Sequence, residues 1–389
     1  MSSMGSVVIA AALAQRPGVG GHTWFALQYL LGFRKLGWEV LLVDRLDAGM
    51  CRDRSGAPCP PQGSANLAYL EEVMERFELA DSWSVLLPGG QTAGLPRAEV
   101  ERRVASADLL FNVMGYLDDE DLLEASRLRV FLDIDPGFGQ MWRELALADL
   151  FSGHDRFVSV GLNVGRDGCG VPDCGIDWIT TLPPVALDHW PAAPGGTAFT
   201  SVASWRGPYD PVEYEGHTYG LRVHEFRRFA ELPRRTAAKF EVALSIDPAE
   251  SADLERLSAG GWTLLDPAAV AGDPFAYNRF IQGSGAEFTV AKGIYVDTRS
   301  GWFSDRSACY LASGKPVVAQ ETGFGSHLPT GTGLIPFTTP AEALLAVEEV
   351  RADPAGHGAA AREIAEQHLD ANRVLSRLIE RLGAVRAGV

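Results

Sequence analysis

The sequence predicts an α/β protein built from two doubly wound domains that face each other across a cleft. A chain of 389 residues exceeds what one hydrophobic core ordinarily organises. Short apolar runs alternate with helical patterns in both halves, the arrangement that builds parallel sheets. Between the halves, residues 182–196 (LPPVALDHWPAAPGG) are dense in proline and glycine without periodicity, as in a linker. These features divide the chain into domains 1–190 and 197–365 and a helical segment 366–389, which packs back on the first domain or simply closes the second.

In the first half, residues 7–13 (VVIAAAL) form an apolar run, followed by a glycine turn at 17–21, a helical pattern from Trp24 to Leu36 and a second apolar run at 39–43. Strand, loop, helix and strand in that order make one parallel-sheet unit. Further strands are predicted at Leu109–Val113 and Val130–Ile134. The second half carries strands at 199–203, 240–246, 262–265, 287–291 and 316–319, and helical patterning runs from Gly358 to Leu382.

Fifty acidic against 34 basic residues give a net charge of −16, which disfavours nucleic acid and anionic membranes as partners and requires any anionic substrate to find local donors. No apolar run reaches ~18 residues, so no membrane span is expected. The N-terminal stretch lacks the basic start of an export signal and reads as a buried first strand of a cytoplasmic protein. Five scattered cysteines do not form a disulfide framework, and the spacing of Cys169 and Cys174 is too wide for a zinc knuckle; no metal site is assigned. The oligomeric state is left open.

Two motifs carry chemistry. The turn Pro17-Gly18-Val19-Gly20-Gly21-His22 lies where a ligand can approach backbone N–H groups at a helix start, although its spacing is not a dinucleotide fingerprint. The run Ser300-Gly301-Trp302-Phe303-Ser304-Asp305-Arg306-Ser307 opens a helix that ends at Gly314. A helix start with a capping side chain and the fixed donors of Arg306 suits a diphosphate; the alternative is that Arg306 pairs with a nearby carboxylate. Asp133 and Asp135 (FLDIDPG) and Asn112 lie at strand ends where parallel sheets bind ligands, though Asp-Pro-Gly is also a good turn; His154 is a weaker candidate. Glu287 and Lys292 flank one strand and either pair or line the cleft, and Trp302, Phe303 and Tyr310 stack on a base or fill the core.

The pattern GWFSDRSACYLASGKPVVAQETGFG, followed by LPTGTGLIPFTTPAEAL, resembles the nucleotide-sugar half of GT-B glycosyltransferases, and GVGGHTWFALQYLLGFRKLGWEVLLVD resembles their acceptor half. The resemblance implies two Rossmann-like domains and metal-independent transfer of a hexose from a nucleoside diphosphate sugar, of UDP or dTDP type, to a small-molecule acceptor, natural products included. No other cofactor is implied. His22 then corresponds to a general base, oriented by Asp133 or Asp135; Arg206 and the residues Gly301, Ser304, Asp305, Arg306 and Ser307 face the diphosphate; Glu321 and Thr322 hold the donor sugar; Gly20, Gly21, Asn112, Glu287 and Lys292 line the acceptor side. Two departures stand out: Cys309 replaces the Glu that many retaining members place five residues before Gly314, and Ser300-Gly301-Trp302 replaces the His-Gly-Gly loop of many inverting members. Two other readings of the sequence are a nucleotide-sugar 2-epimerase and a non-catalytic sugar-binding protein.

Overall fold

The computed structural model of the chain describes residues 4–384; residues 1–3 of the predicted first domain and 385–389 of the predicted last segment lie outside the described residues. The first sheet contains β1 (Gly5–Ala10), β2 (Trp38–Arg45), β3 (Trp83–Leu87), β4 (Gln91–Gly94), β5 (Leu109–Val113), β6 (Arg129–Asp133), β7 (Arg156–Ser159) and β8 (Trp178–Thr180), in the order β4-β3-β2-β1-β5-β6-β7-β8. Only the β3–β4 pair is antiparallel. The central strand β1 (GSVVIA) reads as a continuous apolar run because helices cover both faces of the sheet.

The second half begins with β9 (Phe199–Ser204), then an antiparallel hairpin of β10 (Val212–Tyr214) and β11 (His217–Tyr219), then β12 (Phe240–Ser245), β13 (Thr263–Leu265), β14 (Ala286–Thr289), β15 (Val317–Gln320) and β16 (Leu334–Phe337). Its six-stranded parallel sheet has the order β13-β12-β9-β14-β15-β16. The order reverses at β9, so its carboxyl end is a switch point where a crevice opens.

The first helix spans Gly20–Lys35 and starts four residues before the predicted Trp24. Gly20 and Gly21 are therefore its first turn and not a loop. Their lack of side chains is required by the other half: a Cβ on Gly20 would lie 2.3 Å from the Asp273 carbonyl oxygen, and one on Gly21 2.9 Å from Tyr277. The helix is apolar almost all round, from Trp24 to Phe33, because it is buried between its own sheet, the helix Pro274–Gly283 and the last helix, Ala371–Leu382. Trp24 packs on Trp190 at 4.7 Å and donates from Nε1 to the Pro274 carbonyl at 2.6 Å, which ties the halves together. Burial of each such side chain contributes roughly 1.5–3 kcal/mol.

The C-terminal helical pattern resolves into Pro354–Ile364, a π-helical turn Ala365–Leu369, and Ala371–Leu382 capped by Asp370. The last helix returns to the first half, where Leu375 sits against Gly32. Among the described residues no helix is long and apolar enough to cross a membrane.

Candidate active site in the interdomain cleft

The carboxyl ends of strands from both sheets open into one cleft of about 750 Å³. From the first half come Gly18, Val19, Gly21 and His22 after β1, Ile134 and Asp135 after β6, and Val160 after β7. From the second come a slot between Leu244–Ile246 and Leu265–Ala268, the side chains of Arg222, Lys292 and Tyr295, and the first turn of the helix Asp305–Ala312. The slot, apolar with Ser245 and Asp266 as polar tips, suits a flat heterocycle. The helix start supplies N–H groups without intrahelical partners, with Ser304 Oγ capping the Arg306 N–H.

Arg222 is a buried cation that lines this cleft. Its side chain is buried, Nε donates to the Val290 carbonyl at 3.0 Å, and it has no carboxylate ion pair among the described residues. Burial, then the neighbouring Arg306, lower its pKa to about 10, so it stays cationic near neutrality. A buried guanidinium short of an anion favours a ligand that brings one.

Across the cleft, His22 Nε2 lies 2.6 Å from the Ala12 carbonyl. A carbonyl can only accept, so Nε2 carries the proton and Nδ1 is the basic nitrogen. Burial, then Arg16, lower the pKa of the ring, while Asp135 raises it. Asp135 is held by Lys292 Nζ and by the Tyr295 hydroxyl, and Tyr295 stacks on Trp302 with centroids 4.5 Å apart. The cleft thus brings together Gly21, His22, Asp135, Lys292, Ser304, Asp305 and Arg306 of the predicted residues.

Other expectations are corrected. Arg306 is not an open diphosphate donor: Nε bonds Glu287 Oε1 at 2.5 Å, and its other nitrogens bond the Val202 carbonyl and Thr289. Glu287, on the adjacent strand β14 and fully buried, is the reason, and it does not line the cleft. Asp133 does not orient His22; it lies within β6, where its carboxylate accepts from Gln140 and Ser159, and burial pushes its pKa up to about 6. Asn112 is buried among Leu117 and His154. Arg206, half-exposed, pairs with Glu250 and is not among the residues lining the cleft. Gly301 spends its N–H on the Thr322 carbonyl, Thr322 Oγ1 donates to the Trp302 carbonyl, and Glu321 accepts from the N–H groups of Gly323 and Gly325, so all three shape the loop and none lines the cleft. Ser307 is buried beside Gln320 and outside the main cleft, and Gly20 packs against the second half. Cys309 is buried against Gln28 of the first helix, and therefore faces the domain interface.

Sequence reasoning missed Arg222 and Tyr295. Arg222 begins a short helix directly after Gly220-Leu221, the same helix-start signal that drew attention to Arg306.

Two parallel sheets with facing strand ends and a last helix that returns to the first half define the GT-B fold of nucleotide-sugar glycosyltransferases. Solved structures with this fold align along nearly the whole chain. An alpha-glucosyltransferase in complex with UDP and mismatch-containing DNA aligns at a TM-score of 0.59 with 14% identity, covering 98% of this chain and 100% of that one. Anabaena HepE with UDP-glucose aligns at 0.61 with 12% identity, covering 98% and 100%. AviGT4, a glycosyltransferase involved in avilamycin A biosynthesis, aligns at 0.57 with 14% identity, covering 99% of each. No protein-family profile and no curated protein sequence matches the chain.

The DNA complexes correct one expectation. A net charge of −16 implies that nucleic acid is not a partner, yet this fold also serves glucosyltransferases solved with DNA. Net charge sets the far field, whereas an acceptor site is built from local contacts, so the charge does not exclude nucleic acid.

Proposed function

We propose that the protein transfers a glycosyl group from a nucleoside diphosphate sugar, of UDP type, to an acceptor hydroxyl bound against the first half. The observation that carries this reading is Arg222, a buried cation without an ion-pair partner among the described residues, set beside a helix start in a cleft between two sheets. The base occupies the slot between Leu244–Ile246 and Leu265–Ala268; the diphosphate meets Arg222 and the first turn of Asp305–Ala312; the sugar points towards Lys292 and Asp135. UDP and UDP-glucose in the solved neighbours support uridine.

In the chemical step the acceptor hydroxyl gives its proton to His22 Nδ1 while its oxygen bonds to the anomeric carbon. The bond from that carbon to the diphosphate oxygen breaks, and the diphosphate leaves with the electron pair, its charge met by Arg222 and the helix start. Asp135 stabilises the imidazolium through its field, since it is the carboxylate that raises the His22 pKa. Displacement of this kind inverts the anomeric configuration.

A calorimetric panel of UDP, dTDP and GDP, joined to turnover of UDP-glucose with and without an acceptor, tests the proposal. Binding of UDP and acceptor-dependent UDP release support it. Conversion of donor alone to an epimer, or binding of free sugars without any nucleoside diphosphate, overturns it in favour of an isomerase or a sugar-binding protein.

A further inference from the structure

Beside the cleft lies a second, smaller groove of about 430 Å³ built by both halves. Trp142 comes from the helix Phe138–Glu144, Leu145 and Leu147 from the turn that follows it, Tyr209 and Pro211 from the segment between β9 and β10, and Val212 from the start of β10. Resting on the glycosyl-transfer reading, we propose that this groove receives the acceptor and that the acceptor carries an uncharged apolar ring system.

Three observations carry the proposal. Leu147 is 70% exposed and Leu145 39%, two neighbouring members of the six large apolar side chains exposed among the described residues. The backbone turns them outward: the helix ends with Ala146 at φ +53, the Leu147 N–H bonding back to the Trp142 carbonyl at 2.8 Å and the Ala146 N–H to that of Arg143 at 3.0 Å. That double-bonded helix end normally uses glycine at the left-handed position, and here it places Leu147 and Trp142 in the lining of one groove.

Second, the groove adjoins the reaction cleft: Tyr209 lines the groove, and its ring lies 5.7 Å from Nζ of Lys292, which lines the cleft. Trp142 meets Tyr209 edge to face at 5.0 Å, Tyr209 meets Phe138 at 4.8 Å, and Phe138 lies 5.1 Å from Lys292 Nζ, the cation that holds Asp135. Trp142 and Tyr209 thus form an aromatic wall of the groove that ends beside Lys292, with Phe138 fully buried behind it. Such a wall binds a ring face well and a hydrated chain poorly.

Third, the only charged residues of the groove are Asp210 and Glu213. Their sign, added to Asp135 and to the overall negative charge, repels carboxylated or phosphorylated ligands. The volume falls within the small-molecule range.

The test uses UDP-glucose with methyl, phenyl and 2-naphthyl β-glucosides as neutral acceptors that differ only in the ring, and 4-carboxyphenyl β-glucoside as the charged control. The expected KM falls from methyl to phenyl to naphthyl, by about tenfold or more across the series, and rises again for the carboxylate. Leu147→Asp, at an exposed position, erases the preference while UDP affinity is unchanged. Calorimetric binding of naphthyl glucoside to the UDP complex gives the same ranking without turnover. UDP binding with no ring preference in either readout, or a preference that survives Leu147→Asp, overturns this proposal alone; loss of UDP binding in the wild-type protein overturns the glycosyl-transfer reading instead.

Discussion

Replacing Arg306 by leucine separates the two roles this residue can have. Glu287 is fully buried, its Oε1 is bonded to Arg306 Nε at 2.5 Å, and its Oε2 has no hydrogen-bond partner among the described residues. Removing the guanidinium strands a carboxylate in the interior, at a cost of ~3–5 kcal/mol. For a domain of this size that corresponds to a fall in melting temperature of roughly 6–20 °C. Replacing both residues, Arg306→Leu with Glu287→Leu, removes the stranded charge and restores most of the loss, because a buried ion pair contributes little over an apolar pair. Calorimetric or urea unfolding of the two variants, paired with UDP titration at a temperature where both are folded, reads the difference. A single variant that loses less than ~1 kcal/mol yet binds UDP tenfold more weakly refutes the reasoning and returns Arg306 to the diphosphate.

His22→Ala is expected to leave UDP affinity nearly unchanged and to slow transfer ~10²–10⁴-fold under single-turnover conditions; near wild-type turnover, or a product of retained configuration, removes the base assignment. Burial and Arg16 keep the His22 pKa below 6.5, so kcat/KM is maintained at neutral pH and is lost as pH falls through a limb below 6.5. Asp135→Asn removes a charge that raises this pKa and shifts the limb to still lower pH; a limb that stays in place shows that Asp135 does not act on the base. Gly20→Ala places a methyl 2.3 Å from the Asp273 carbonyl and lowers the melting temperature, although alanine in an isolated helix gains ~1 kcal/mol over glycine; a rise in melting temperature means the halves are not packed there.

The architecture was legible because its signals are local. The alternation of apolar runs and helices, and the glycine turn after the first strand, follow from periodicities that a sequence displays directly. What was not legible depends on which residues the fold makes neighbours. Arg306 has the signal of an anion donor, but β14 places Glu287, nineteen positions earlier, against it. Asp133 and Asp135 look alike in FLDIDPG, yet the first is still within β6 and bonded inward while the second is past the strand end and lines the cleft. The sequence pattern places the helix start at Trp24 because glycines ordinarily break helices; here Gly20 and Gly21 are helical since only they let the second half approach. The hairpin of β10 and β11 escaped because three-residue strands carry no readable alternation.

The account rests on a nucleoside diphosphate binding between the two halves against Arg222. Titration of UDP and of uridine into the wild-type protein and into Arg222→Leu tests this most directly. The loss of a charge-assisted hydrogen bond to phosphate, ~1.5–3 kcal/mol, predicts UDP affinity reduced by about 10- to 150-fold with uridine affinity nearly unchanged. Equal affinity of wild-type and variant protein for UDP, or an equal loss for both ligands, contradicts it.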